Sequence, residues 1–169
     1  MKKEIIPMDD IKKIMFDIIK GVAFLHNKNI IHRDLKPDNI LLTDDEQIVV
    51  DSLSFIINKN FNDQVKIYTA LSGTEALEIV TKEHIDITFM DINMPGLTGL
   101  ETVSCITKLK PETIIIILSA FDRFQYAQEA MNLGAFKYIT KPVNRNIVIQ
   151  TIRSAMDHID NRRGIQNAD

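Results

Sequence analysis

The sequence predicts an α/β protein, with a five-stranded parallel sheet covered by helices on both faces. Three observations carry this expectation. Short apolar runs alternate with segments of helical periodicity five times between Asn39 and Asp160. The run TIIIILS (113–119) is apolar almost throughout and rich in β-branched residues, as suits a central parallel strand buried on both faces. Carboxylates, a hydroxyl and a lysine stand just past successive strands, at the edge where sheets of this class bind ligands.

The 169 residues suit one domain of ordinary size with an extension. Near the start, Ile11, Ile14, Met15, Ile18, Ile19, Val22 and Leu25 recur at the spacing of an amphipathic helix. Asp9 or Asp10 can cap its start, and Asn27 and Asn29 suit its end. HRDLKPD follows as a polar loop in which Pro37 disfavours helix at Lys36. NILLT (39–43) is the first strand, and Gln47 to Asn60 carries a helical pattern. VKIYTA (65–70) alternates like a strand, GTEALEIVTKEH (73–84) reads as a helix, and IDITFM (85–90) is a strand ending at Asp91. The loop INMPGLTG leads to a helix over about 99–109. Beyond TIIIILS come a helix over about 122–133, the strand FKYIT (136–140) and a last helix over about 144–160. The expected organisation is an extension over 1–37, a domain over 38–160 and a polar tail, NRRGIQNAD, over 161–169.

Composition narrows the function classes. The hydrophobic share of 45% and charged share of 25% are those of a globular protein. A net charge of −3 gives no electrostatic reason to expect nucleic acid or an anionic membrane as partner. The lone Cys105 cannot form an internal disulfide and fits a reducing compartment. No apolar run approaches the roughly 20 residues of a membrane span, and MKKEIIPMDD is too short and polar for a signal peptide. The expectation is a soluble cytoplasmic protein.

The chemistry lies at the strand ends. Asp44, Asp45 and Glu46 follow the first strand, Asp91 ends the third, Ser119 ends the fourth, and Lys141-Pro142 follows the fifth. Taken singly, an Asp past a strand is usually a turn former, Ser119 a capping residue and Lys141 a solvated lysine. Together, at four strand ends on one edge, they form a set. Clustered carboxylates repel, and a hard divalent cation such as Mg²⁺, which binds oxygen ligands and phosphate together, relieves that repulsion. A lysine and a hydroxyl can hold the remaining oxygens of a phosphoryl group.

The pieces ILLTDDE (40–46), ITFMDINMPGLTG (87–99), IIILSA (115–120) and NLGAFKYITKP (132–142) resemble the receiver domain of response regulators, over about 120 residues. The resemblance implies a flavodoxin-like, doubly wound sheet of order 2-1-3-4-5 and a phosphoacceptor module of a two-component phosphorelay. It makes Asp91 the phosphoacceptor. Asp44, Asp45 and Asp91, with the backbone carbonyl of Asn93, would hold Mg²⁺. Ser119 would contact the phosphoryl oxygens, Lys141 would pair with them, and Tyr138 would be the switch aromatic. Asn93 and Phe121 stand where the family sets phosphate lifetime, and a bulky Phe121 implies a long-lived phosphorylated form. The expected partners are a histidine kinase or phosphotransfer protein as donor, and an output protein on the face of the fourth helix, fifth strand and fifth helix. That face includes Phe124, Tyr126, Tyr138, Arg145 and Arg153. The expected activity is self-phosphorylation and slow autodephosphorylation, not enzymatic turnover in the usual sense.

The preceding stretch, DIIKGVAFLHNKNIIHRDLKPDNILL, resembles the helix and catalytic loop of a Ser/Thr protein kinase. By that resemblance Asp34 is a catalytic base, Lys36 a phosphate-contacting lysine and Asn39 a metal ligand. The rest of a kinase is missing: no glycine-rich loop, strand lysine or helix glutamate precedes it, and DSL at Asp51 lacks the Phe and Gly of the metal-binding motif. The segment therefore reads as an inactive remnant in a natural or engineered fusion crossing over in NILLTDD. Its apolar stripe needs burial against the domain, a partner or a second copy. Two other readings are a kinase-derived fragment with residual nucleotide binding and a constitutive interaction protein without signalling output.

Overall fold

The computed structural model describes residues 38–120 and 123–166. Five strands alternate with five helices: β1 (Asp38–Thr43), α1 (Gln47–Phe61), β2 (Val65–Ala70), α2 (Gly73–Lys82), β3 (Ile87–Asp91), α3 (Gly99–Leu109), β4 (Ile114–Ser119), α4 (Phe124–Asn132), β5 (Lys137–Thr140) and α5 (Arg145–Gln166). The sheet is parallel throughout, in the order β2-β1-β3-β4-β5. The expected α/β class and strand order are both found. β1, β3 and β4 lie in the interior of the sheet, and β3 and β4 are buried along their whole length, hence their near-continuous apolar composition.

Successive strand residues face opposite layers, which divides the core in two. One layer joins Ile40, Leu42, Phe89, Ile116 and Leu118 to Leu53 and Ile57 of α1 and to Ile152 and Met156 of α5. The other joins Leu41, Met90, Ile115 and Ile117 to Val80 of α2, Val103 and Ile106 of α3 and Ala130 of α4. Helix starts are fixed locally. Ser72 caps α2 through the Glu75 amide, and Thr98 forms a reciprocal capping box with Glu101 at the head of α3.

The last helix differs from its expected length. The helix predicted to end near residue 160 continues to Gln166, so residues 161–166 belong to α5 and not to a polar tail. The reason is tertiary: Arg162 donates to the Glu112 carbonyl at 2.9 Å and Arg163 meets two carboxylates, which anchors turns that composition alone leaves unsupported. Among the described residues, no helix is long and apolar enough to cross a membrane. The proposed helix over residues 11–25, with Asp34 and Lys36, lies outside the described residues.

Phe89, fully buried in the centre of the sheet, tests the first core layer. Phe89→Ala should lower the free energy of unfolding in urea by about 3–5 kcal/mol, with little change in slope.

Candidate functional site

Strand order places the site. β1 pairs with β2 on one side and with β3 on the other, so the crevice at the carboxyl ends of β1 and β3 is where the winding reverses. In the register of this pair, Thr43 sits opposite Met90, so the next residues, Asp44 and Asp91, emerge side by side. Oxygens of Asp44, Asp45 and Asp91 come within 4.8 Å of one another. Asp44 and Asp91 are buried, and Asp45 faces solvent.

Lys141, from the loop after β5, closes the set. Its Nζ lies 2.6 Å from Asp44 Oδ2 and 3.1 Å from Asp91 Oδ1. The loop is held in place by the Lys141 N–H, which donates to the Ser119 carbonyl at 2.7 Å. Asp44 spends its other oxygen on its own turn, where Oδ1 accepts the Glu46 N–H at 3.0 Å. Electrostatics follow from this packing. Burial is the main cause that pushes the Asp91 carboxyl up to about 6; Lys141 opposes the rise, and Asp44 and Asp45 add to it. Burial pulls the Lys141 ammonium down, but its hydrogen bonds and charge attraction to Asp44 and Asp91 outweigh that and leave it above its ordinary value.

Two glycines allow the approach from β3 to α3. Gly96 turns with φ +79°, a conformation that side chains disfavour. Gly99 lies so close to Asp91 that a Cβ there would overlap the Asp91 carbonyl oxygen, and the Gly99 N–H donates to Ile92 O at 2.9 Å. The head of α3 is thereby packed against the backbone of the central carboxylate.

The cleft above these groups has a volume of about 610 Å³ and is lined by Asp45, Glu46, Asp91, Asn93, Ala120, Tyr126 and Lys141. The expected residues thus divide. Asp44, Asp45, Asp91 and Lys141 are brought together, and Asn93 lines the cleft. Ser119 is fully buried at the end of β4, with Ala120 in the cleft wall. Tyr138 is half-buried on β5 and packs against the second core layer. Phe121 lies outside the described residues. Asn39 sits at the opposite end of the sheet, where its side chain donates to the His84 carbonyl, so its surroundings there are those of strand structure. Tyr126 was expected on an outer face; it lines the cleft because it stands in the first turn of α4, next to the end of β4. Its position in the first turn of the helix that follows β4 is the available signal.

A doubly wound parallel sheet with a carboxylate cluster and a lysine at its switch point defines a class of acidic-site α/β domains. Comparison with known proteins makes the class specific: residues 40–153 match the response regulator receiver domain model, and the chain belongs to that family. Its receiver is that of a two-component response regulator. The chain is 36% identical over 113 residues to the transcriptional regulatory protein YesN of Bacillus subtilis, covering 67% of this chain and 31% of that protein. It is 30% identical over 120 residues to sporulation initiation phosphotransferase F of the same organism, covering 70% of this chain and 90% of that one. A receiver domain structure from Clostridium thermocellum aligns with a TM-score of 0.64 and 32% identity, over 76% of this chain and 98% of that one. The chain spans about a third or less of the length of several curated relatives it matches, YesN and the E. coli regulator GlrR among them. Both of these are named as transcriptional regulators, so the low net charge is no ground for ruling out nucleic acid.

The raised Asp91 has a consequence for stability without metal. The folded protein holds this proton more tightly than the unfolded chain, so the contribution of Asp91 is fully present below about pH 4 and lost as pH rises through about 6. In EDTA, Asp91→Asn should therefore be more stable than the parent at pH 7.5, by about 1–2 kcal/mol after discounting for the open cleft. The advantage should vanish near pH 4, as read from urea unfolding at the two pH values.

Proposed function

We propose that this domain is a phosphorylatable switch in which the Asp91 carboxylate takes a phosphoryl group from a phosphohistidine of a histidine kinase or phosphotransfer protein. The observation that supports this most directly is the Lys141 ammonium held between Asp44 and Asp91 at the floor of an open cleft. An Asp91 oxygen attacks phosphorus as the bond to the imidazole nitrogen breaks, giving an acyl phosphate and a neutral histidine on the donor. Lys141 is already within hydrogen-bond reach of the nucleophile and is placed to pair with a phosphoryl oxygen. The donor set of Asp44, Asp45 and Asp91, joined by the Asn93 carbonyl, suits Mg²⁺. When bound, the ion would neutralise carboxylate and phosphoryl charge together. Ser119 and Tyr138 complete the proposed switch: the hydroxyl turns to the phosphoryl group and the ring follows inward. The output partner would then meet the face of α4, β5 and α5. A groove of about 450 Å³ between β5 and α5, lined in part by Phe136, Tyr138 and Ile147, lies on that face.

Acetyl phosphate with Mg²⁺ should add one phosphoryl mass to the parent and none to Asp91→Asn. Lys141→Ala should be labelled about 100-fold more slowly. Equal labelling of parent and Asp91→Asn would refute the assignment.

Tyr126 is the large ring in the cleft wall, and Phe121 and Asn93 are the positions tied by family resemblance to lifetime. The acyl phosphate should outlast the seconds range at neutral pH. Tyr126→Ala should shorten its half-life several-fold by admitting water, while Tyr126→Phe leaves it unchanged, measured by loss of the added mass after donor removal.

A further inference from the structure

The opposite end of the sheet carries a second charge cluster, built across the two ends of the domain from two buried carboxylates and an arginine whose side chain is 41% exposed. Arg163, in the last turns of α5, donates through Nη2 to Asp86 Oδ1 at 2.9 Å, and its Nη1 lies 3.4 Å from Asp38 Oδ1. Asp38 is the first residue of β1 and Asp86 immediately precedes β3. These residues are only 6% and 5% exposed. Asp86 Oδ2 accepts the Asn39 N–H at 2.8 Å, while Oδ1 also meets His84 Nε2 at 3.1 Å. Arg162, one residue earlier, ties the same helix end to the Glu112 carbonyl in the loop before β4.

An exposed ion pair contributes little, because water solvates both partners well when they separate. Here the guanidinium is partly exposed, but both carboxylates that it meets are buried. Removing Arg163 would take the guanidinium from two buried carboxylates at once, and losing a charge partner is costly for a buried ion. The planar, multi-donor guanidinium can serve two carboxylates at once, which a point-charge ammonium does less well.

We propose that Arg163 is an interlock between the ends of the receiver: it makes the order of β1's first residues conditional on the last turns of α5, and the reverse. Residues 1–37 join the domain through Asp38, and anything joined after Gln166 pulls on the helix that carries Arg163. A load on one junction is then felt at the other by a route that does not pass through Asp91. The coupling is reciprocal, as any linkage between two sites must be. This inference is independent of the phosphoryl reading.

Hydrogen exchange on the full 169-residue chain tests it. Arg163→Ala should speed exchange tenfold or more both in α5 residues 158–166 and at 38–40, where the Asn39 amide reports directly on Asp86. Asp38→Asn should speed exchange at 158–166 several-fold, and Arg163→Lys should fall between parent and alanine variant. The amides of α1 and α3 should keep their parental protection. The interlock is overturned if each variant loosens only its own end, or if protection falls evenly over the whole domain. Should Arg163→Ala fail to fold, Asp38→Asn and Arg163→Lys decide between the same outcomes, with the far-ultraviolet circular dichroism spectrum as the check that the domain is intact.

Discussion

The ammonium of Lys141 between Asp44 and Asp91 is the interaction on which the site depends. Parallel pairing of β1 with β3 obliges two carboxylates to emerge side by side at the switch point, and both are mostly buried there. Like charges so placed repel each other. Lys141 reaches both from the loop after β5, two positions from β3 and three from β1, so that loop is bound electrostatically to the centre of the sheet. Burial outweighs the pull of that ammonium and pushes the Asp91 carboxyl up to about 6.

Much of this was legible in the sequence because parallel strands write themselves as apolar runs with chemistry at their carboxyl ends. TIIIILS and ITFMD could be placed from composition alone, and Asp44, Asp91 and Lys141 followed from standing next to such runs. What was not legible depends on contacts distant in sequence. The length of α5 is set by Arg162 and Arg163 reaching Glu112, Asp38 and Asp86, and nothing in NRRGIQ announces those partners. Tyr126 looked like a surface aromatic because helical periodicity gives a face but not what that face meets. The kinase-like spelling was conspicuous in sequence, yet of its three candidate site residues only Asn39 lies within the described residues, and it is engaged in holding strand ends together.

The two ends of the sheet solve the same physical problem in different ways, and the contrast separates function from structure. At the amino ends, Asp38 and Asp86 are buried, and a guanidinium that is part of the fold bridges them. Their arrangement satisfies the charges in place and lies in a packed junction. At the carboxyl ends, Asp44 and Asp91 share a single lysine, Asp45 faces solvent beside them, and a cleft of about 610 Å³ opens above. A carboxylate cluster kept only for stability would be better served by the first solution, since unrelieved charge lowers the stability of the folded state. That the second persists beside an accessible cleft, with the central carboxyl group pushed up by its burial, is the physical ground for placing the chemistry at Asp91 and the structural coupling at Arg163.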